Sequence, residues 1–132
     1  MDASRRPLRC VVVEDDAAVR AAIALALRDF HVETGNFAST SEVLKACDRN
    51  APDVVFLDIA LGEFDAIDVI RALGNDGYRG AIQLVSGHHS LLDTVQRIGE
   101  RSGLRMLEPV LKPFRASDIR RVAEMCSCRG TA

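Results

Sequence analysis

The feature that most restricts the fold of this sequence is an alternation of short apolar runs with segments of helical periodicity. Apolar or extended runs of strand length lie at 8–13, 31–34, 53–57, 81–85 and 106–111. The segments that place apolar side chains on one face of a helix lie at 17–30, 39–49, 66–73, 91–101 and 117–126. Nearly continuous apolar strands that alternate with helices are typical of a parallel sheet covered on both faces. We therefore predict a doubly wound, five-stranded α/β domain.

Residue types at the predicted helix ends support this division of the chain. Ser39-Thr40-Ser41-Glu42 has the pattern of a capping box, in which Ser39 is the N-cap and Glu42 reaches back to the preceding chain. Asp16 is interpreted as an N-cap of the first helix or as a bystander. Gly74 and Gly103 are predicted to end the third and fourth helices.

The bulk properties of the chain exclude several classes of protein. Its 132 residues correspond to one domain. Lys and Arg number 17 against 19 Asp and Glu, so the net charge of −2 gives no support for direct nucleic-acid binding. No apolar run approaches the roughly 20 residues that span a bilayer, and no signal-peptide pattern is present. We expect a cytoplasmic protein that does not bind a membrane.

The four cysteines do not have the spacing of a zinc site. We expect free thiols in a reducing compartment at Cys10, Cys47, Cys126 and Cys128. The adjacent His88 and His89 are interpreted as surface residues of a loop and not as metal ligands.

Polar side chains follow four of the predicted strands at the point where each strand ends. The first strand is followed by Glu14-Asp15-Asp16, and the others end at Asp58, Ser86-Gly87 and Lys112-Pro113. In an open doubly wound sheet, ligands bind at the carboxyl ends of the strands. We therefore expect these side chains to converge on one edge of the sheet.

This set of side chains suits a divalent cation and phosphoryl transfer. Carboxylates crowded into one site repel each other unless a cation lies between them, and Mg²⁺ prefers oxygen ligands. Glu14, Asp15 and Asp58 supply such ligands for Mg²⁺ or Mn²⁺. Lys112 and Ser86 are positioned by the pattern to contact phosphoryl oxygens. Asp58 is the predicted nucleophile, which would form an aspartyl phosphate.

These motifs, in this order, resemble the receiver domain of two-component response regulators. The resemblance covers residues 8–127, with tails at 1–7 and 128–132, and rests on Glu14-Asp15, Asp58, Ser86-Gly87 and Lys112-Pro113-Phe114. It implies a flavodoxin-like fold with strand order 2-1-3-4-5. It also implies a signalling domain and not an enzyme, with phosphorylation of Asp58 by a sensor histidine kinase or a phosphotransfer protein.

The resemblance further implies individual roles at the site. Asp15 would bind the metal directly, Glu14 largely through water, and the backbone carbonyl of Ala60 would complete the metal shell. Lys112 would contact the phosphoryl group next to a cis bond to Pro113, and Ser86 would be the switch hydroxyl. Receivers often carry Arg at the position of Arg20, which identifies Glu14-Asp15 as the acidic pair.

The sequence also departs from the receiver pattern. Receivers usually have Tyr or Phe three residues before the Lys, where this chain has Pro109, and the aromatic is normally part of the output mechanism. Gly62 replaces a common Pro, and Asp65-Ala66 replaces a frequent Asp-Gly. The segment 103–114 is similar to receivers that precede EAL-type cyclic-di-GMP phosphodiesterase domains.

Several alternatives remain open from the sequence. Residues 91–127 would form the family's usual surface for a homodimer or a downstream effector, and a degenerate receiver would use such a surface without phosphorylation. A Mg-dependent phosphatase with an Asp nucleophile would need D-x-D after the first strand, which Glu14-Asp15-Asp16 lacks. A flavodoxin-like nucleotide binder would need a glycine-rich phosphate loop, which no strand precedes.

Overall fold

The fold is a parallel sheet with helices on both faces. The computed structural model describes residues 7–35, 37–61, 64–87 and 90–129, and of residues 128 and 129 it describes the backbone only. In chain order the elements are β1 (Arg9–Val13), α1 (Ala17–Ala26), β2 (His31–Thr34), α2 (Thr40–Asn50), β3 (Val54–Asp58), α3 (Ala66–Asn75), β4 (Ala81–Ser86), α4 (Leu92–Arg101), β5 (Arg105–Met106), β6 (Val110–Leu111) and α5 (Ala116–Arg129). The strand order is β2-β1-β3-β4-β5, and β6 also pairs with β4. This confirms the doubly wound α/β prediction and the order 2-1-3-4-5.

Alternation along the strands divides the core into two clusters. Strand residues that face α2, α3 and α4 include Val11, Val55 and Leu84. Their neighbours in sequence, such as Val12 and Phe56, face α1 and α5. Successive side chains of a strand point to opposite faces, so a central strand that is buried on both faces must be apolar throughout. This is why the strands appear as continuous apolar runs in the sequence.

The predicted helix starts agree with the hydrogen bonds at the N-caps. Asp16 caps α1 by accepting from the backbone N–H groups of Ala18 and Val19. Ser39 Oγ accepts from the Glu42 N–H at 3.2 Å, and a Glu42 carboxylate oxygen accepts from the N–H of residue 38 at 2.9 Å. The capping box is therefore confirmed, with Glu42 reaching one residue before the cap.

The first helix ends earlier than the sequence pattern predicts. The pattern extends to Phe30, whereas α1 ends at Ala26 and residues 27–29 form turns. The Phe30 N–H bonds the Leu27 carbonyl, and the His31 N–H bonds the Leu8 carbonyl as the chain enters β2. Helical apolar periodicity continues through this turn because Leu27 and Phe30 pack into the same core cluster as the helix.

The last strand, predicted as one run over 106–111, is instead two short strands. Met106 pairs with Ile82 in β5, but Val110 pairs with Val85 in β6, so the two strands differ by one residue in register. Pro109 lies in the interruption and has no N–H to donate to a neighbouring strand. The extra residue has the character of a β-bulge, which the sequence pattern could not distinguish from a regular strand.

A buried glutamine of β4 bridges this interruption. Gln83 is 1% exposed, and its Nε2 donates to the carbonyl oxygens of Leu84 at 3.0 Å and Glu108 at 2.8 Å. Leu84 belongs to β4, and Glu108 lies between β5 and β6 at the step in register. The amide side chain therefore supplies donors where the backbone of Pro109 cannot.

We expect Gln83→Leu to destabilise the fold. The change keeps the side-chain volume but leaves two carbonyl oxygens without a donor, so the free energy of unfolding should fall by about 1–3 kcal/mol. Urea unfolding followed by far-ultraviolet circular dichroism measures this, with the apolar swap Leu84→Met on the same strand as a control. A Gln83→Leu variant as stable as the wild type would show that the bridge contributes nothing.

Some sequence predictions concern residues outside those described. They are the N-terminal tail to residue 6, Gly62, His88, His89, the side chain of Cys128, and the C-terminal tail from residue 130. Among the described helices, none has the length and apolar character needed to cross a membrane.

Candidate phosphoacceptor and metal site

The site lies at the carboxyl edge of the sheet, where neighbouring strands end. Glu14 directly follows β1, Asp58 is the last residue of β3, Ser86 is the last residue of β4, and Lys112 directly follows β6. Glu14 and Asp58 are each 3% exposed and Ser86 is fully buried. The parallel sheet thus brings together residues that lie up to about a hundred positions apart in the sequence.

Lys112 lies between the two buried carboxylates. Its Nζ is 3.0 Å from a carboxylate oxygen of Glu14 and 3.3 Å from Oδ2 of Asp58. The peptide bond from Lys112 to Pro113 is cis, as the family resemblance implied. The Lys112 N–H also donates to the Ser86 carbonyl oxygen at 2.8 Å, which fixes the start of this segment to the end of β4.

Backbone groups and one arginine hold the carboxylates in place. Asp58 Oδ1 accepts from the Ala60 N–H at 3.0 Å, and Glu14 Oε2 accepts from the Asp16 N–H at 3.2 Å. Arg20 Nη1 donates to the backbone carbonyl of Glu14 at 2.8 Å. In the sequence analysis Arg20 served only to identify the acidic pair. In the structure its hydrogen bond holds the backbone of the loop that carries the pair.

Three carboxylates converge closely enough to share one cation. Glu14, Asp15 and Asp58 each offer an oxygen, and these oxygens lie within 4.8 Å of one another. Asp15 is exposed while the other two are buried. Three carboxylates and the single ammonium of Lys112 leave a formal charge of −2 when all are ionised, which a divalent cation neutralises. Oxygen ligands from one or two carboxylates are the usual protein contribution to a Mg²⁺ site.

The electrostatics of Glu14 reflect this crowding of negative charge. Burial, together with the hydrogen bond and the negative charge of Asp58, raises the pKa of Glu14 from 4.5 to about 7. Lys112 acts in the opposite direction but does not cancel these effects. Glu14 of the metal-free protein therefore remains partly protonated near neutral pH. The Lys112 pKa is also raised: burial lowers it, but the hydrogen bond to Glu14 and the nearby Asp58 more than offset that effect.

We expect Mg²⁺ binding to be linked to release of this proton. Because the folded-state pKa of Glu14 is raised, the metal-free protein loses stability as the pH rises from about 4.5 to about 7. Mg²⁺ favours the ionised form, so its apparent affinity should rise up to about tenfold per pH unit below 7 and level off above it. Calorimetric titration in two buffers of different ionisation enthalpy gives the number of protons released at pH 6 and pH 8.

Glu14→Gln is the matched variant for that titration, because it cannot release the proton. Its proton release should vanish and its Mg²⁺ affinity should become nearly flat across this pH range. Equal proton release in Glu14→Gln and in the wild type would mean that another group carries the proton.

Ser86 and Ala60 are the remaining residues that the sequence analysis assigned to the site. Asp58 pairs with Val85 across the sheet, so Ser86 lies one residue beyond the level of Asp58 on the neighbouring strand. Ala60 lies two residues after Asp58 and bonds its carboxylate through the backbone N–H. The roles of the Ser86 hydroxyl and of the Ala60 carbonyl remain predictions.

The sequence analysis did not single out Gln83, which supports the segment leading to Lys112. Gln83 is a lone polar residue within the apolar run 81–85, which was a visible signal of a buried hydrogen-bonding role. Its partner Glu108 precedes Pro109, and only the tertiary structure shows that the two meet.

Comparison with known proteins agrees with this geometry. The family model of the response regulator receiver domain matches residues 10–124. The DNA-binding response regulator MtrA of Mycobacterium tuberculosis is 30% identical over 120 residues, covering 90% of this chain and 49% of MtrA. This chain thus spans about half the length of the curated relatives it matches.

Solved structures show the same fold. A CheY-like receiver domain from Methanospirillum hungatei has a TM-score of 0.78 at 17% identity, covering 96% of this chain and 98% of that one. NtrX from Brucella abortus has a TM-score of 0.72 at 26% identity, covering 93% of this chain and 28% of NtrX. With a family model that spans most of its length and the acidic site at the expected edge of the sheet, this chain belongs to the response regulator receiver domain family.

Proposed function

We propose that this receiver accepts a phosphoryl group on Asp58 in a reaction that requires Mg²⁺ or Mn²⁺, and that a sensor histidine kinase or a phosphotransfer protein supplies the group. The observation that supports this most is the contact of one lysine with two buried carboxylates. Lys112 Nζ lies 3.0 Å from Glu14 and 3.3 Å from Asp58, with the Asp15 carboxylate nearby.

The residues have distinct tasks in this reaction. An ionised Asp58 oxygen attacks the phosphorus, a bond to that oxygen forms, and the bond to the donor breaks with its electrons leaving on the donor. Glu14, Asp15 and Asp58 would hold the metal, which would supply positive charge to phosphoryl oxygens. Lys112 neutralises another oxygen as a point charge. Such positioning and charge neutralisation account for most of the catalysis in phosphoryl transfer.

In this role the chain is a signalling domain that catalyses only its own phosphorylation and dephosphorylation. Phosphorylation would shift an equilibrium between conformations that partners distinguish. The proposed domain bounds remain 8–127. The likeness to receivers that precede EAL domains stays a prediction from the sequence.

A partner surface for a homodimer or an effector is proposed within residues 91–127. A cavity of about 420 Å³ lies between the β5–β6 segment and α5, and its lining includes Leu107, Pro109, Leu111 and Met125. Leu111 and Met125 are large apolar side chains that remain 41% and 49% exposed. An apolar surface of this kind is typical of a contact region.

Removal of Asp15 tests the metal requirement. Asp15→Ala deletes one of three clustered carboxylates, so we expect the Mg²⁺ concentration that gives half-maximal phosphorylation by a small-molecule phosphodonor to rise by about 10- to 100-fold. Intact mass spectrometry over a Mg²⁺ series measures the phosphorylated fraction. Asp93→Ala, which removes an exposed acid from the first turn of α4, is the matched control and should behave as the wild type.

The same series distinguishes the proposal from a degenerate receiver that works without phosphorylation. A degenerate receiver would give no adduct at any Mg²⁺ concentration. An adduct that forms equally well in Asp15→Ala and in the wild type would instead exclude Asp15 from the metal site.

A further inference from the structure

Two side-chain amides hold the interrupted strand that leads to Lys112. Gln83 Nε2 donates to the Glu108 carbonyl oxygen at 2.8 Å, and Gln96 Nε2 donates to the Leu107 carbonyl oxygen at 2.9 Å. Both acceptors are carbonyl oxygens, so each amide presents its NH₂ group to the backbone. Gln83 and Gln96 are the only glutamines in the sequence.

The two amides approach from opposite faces of the sheet. Gln83 lies two residues from both Ala81 and Val85 in β4, so it shares with them the face that α1 and α5 cover. Gln96 belongs to α4, whose buried residues pack on the other face. The backbone at Leu107 and Glu108 is therefore bonded on one side to the sheet and on the other to a helix.

Helix α4 also packs directly on β5. A Cβ atom added at Gly99 would overlap the Met106 side chain, so Gly99 leaves room on α4 for this side chain of β5. The Oε1 atom of Gln96 is buried and accepts no hydrogen bond from the described part of the chain. The hydrogen bond to Leu107 is thus the polar link between the Gln96 side chain and the strand.

This link is continuous with the proposed phosphorylation site. Lys112 follows β6, its N–H bonds the Ser86 carbonyl at 2.8 Å, and its Nζ contacts Asp58 at 3.3 Å. A phosphoryl group on Asp58 adds negative charge and places new acceptor oxygens beyond the carboxylate. The ammonium of Lys112 must then move to contact them. A displacement of Lys112 acts on the short β6 strand and on the segment that the two amides hold.

We propose that Gln96 is a positioning residue that transmits the state of Asp58 to helix α4 through the carbonyl of Leu107. The inference rests on the proposed phosphorylation of Asp58. In this chain Pro109 replaces the aromatic residue that is normally part of the output mechanism. We infer that the hydrogen bond between Gln96 and Leu107 takes over its role. A switch requires an element whose contacts differ between the two states of the protein, and we assign this role to α4.

Nuclear magnetic resonance in the presence of Mg²⁺ and of beryllium fluoride, which mimics a phosphoryl group on a carboxylate, tests the inference. In the wild type, backbone amides of 92–101 and the side-chain NH₂ signals of Gln96 should shift on addition of the analogue. In Gln96→Leu, the shifts over 92–101 should be largely lost, while those of the Asp58 and Lys112 amides persist. Arg97→Leu, an exposed neighbour on the same helix, should respond as the wild type does.

Each outcome separates the inference from the function on which it rests. If the Asp58 and Lys112 amides respond and α4 responds equally in Gln96→Leu and in the wild type, the link through Gln96 is overturned and phosphorylation stands. The inference also fails if α4 shifts in the wild type while the Gln96 NH₂ signals do not. If no wild-type amide near Asp58 responds, the proposed function fails and the inference fails with it. Gln96→Glu, which places a carboxylate against the Leu107 carbonyl, provides a second variant should Gln96→Leu not fold.

Discussion

Asp58→Asn should give no phosphoryl adduct under conditions in which the wild-type protein is fully converted. The carboxylate of Asp58 is the buried nucleophile next to Lys112, and an amide of the same size lacks the anionic oxygen that attacks phosphorus. We expect the loss to be complete within detection by intact mass spectrometry after incubation with a small-molecule phosphodonor and Mg²⁺.

Asp65→Asn is the matched control for this change. Asp65 caps α3 by accepting from the Ile67 N–H at 2.8 Å, and Asn caps a helix about as well as Asp. This variant should be phosphorylated as the wild type is. Asp58→Asn should remain folded, because it removes repulsion between two buried carboxylates and leaves Lys112 paired with Glu14. An undiminished adduct in Asp58→Asn would place the phosphoacceptor elsewhere.

Lys112→Met should lower the rate of phosphorylation by about 100-fold or more, the size of effect seen when one preorganised donor is removed from a reaction centre. The ammonium is the single cation in contact with both Glu14 and Asp58 in the described part of the chain. Without it, the two carboxylates face each other, and the pKa of Glu14 should rise further. The rate is measured from the phosphorylated fraction over time at saturating Mg²⁺.

The only other lysine of the chain provides the control. Lys45 is exposed on α2, so Lys45→Met removes the same charge away from the site and should not change the rate. Lys112→Arg should recover only part of the rate, because a planar guanidinium does not fill the place of a compact ammonium. Wild-type kinetics in Lys112→Met would exclude a role for this contact.

The sequence predicted the residues at the carboxyl edge of the sheet better than the course of the last strand that leads to Lys112. The positions of Glu14, Asp58 and Ser86 at strand ends could be predicted because each of them directly follows an apolar run of strand length. Parallel order then brings them together without further information. The position of Lys112 followed from the same logic, although its strand is not the regular one that the apolar pattern suggested.

What the sequence could not predict depends on contacts between distant residues. Pro109 signalled an unusual fifth strand, but the one-residue step in register and its bridging by Gln83 and Gln96 are tertiary features. The early end of α1 has a similar cause, because Phe30 continues the helical pattern while its backbone already forms a turn. The raised pKa of Glu14 likewise depends on burial beside Asp58, which spacing alone does not give.

Chemical reduction of the phosphorylated protein shows which carboxylate carries the phosphoryl group. Borohydride reduces an aspartyl phosphate to homoserine, so phosphorylated protein should yield homoserine at position 58 and at no other acidic residue when its peptides are sequenced by mass spectrometry. We expect homoserine at position 58 only when Mg²⁺ and the phosphodonor are both present. Homoserine at Asp15 or Asp16, or its formation at position 58 without Mg²⁺, would contradict it.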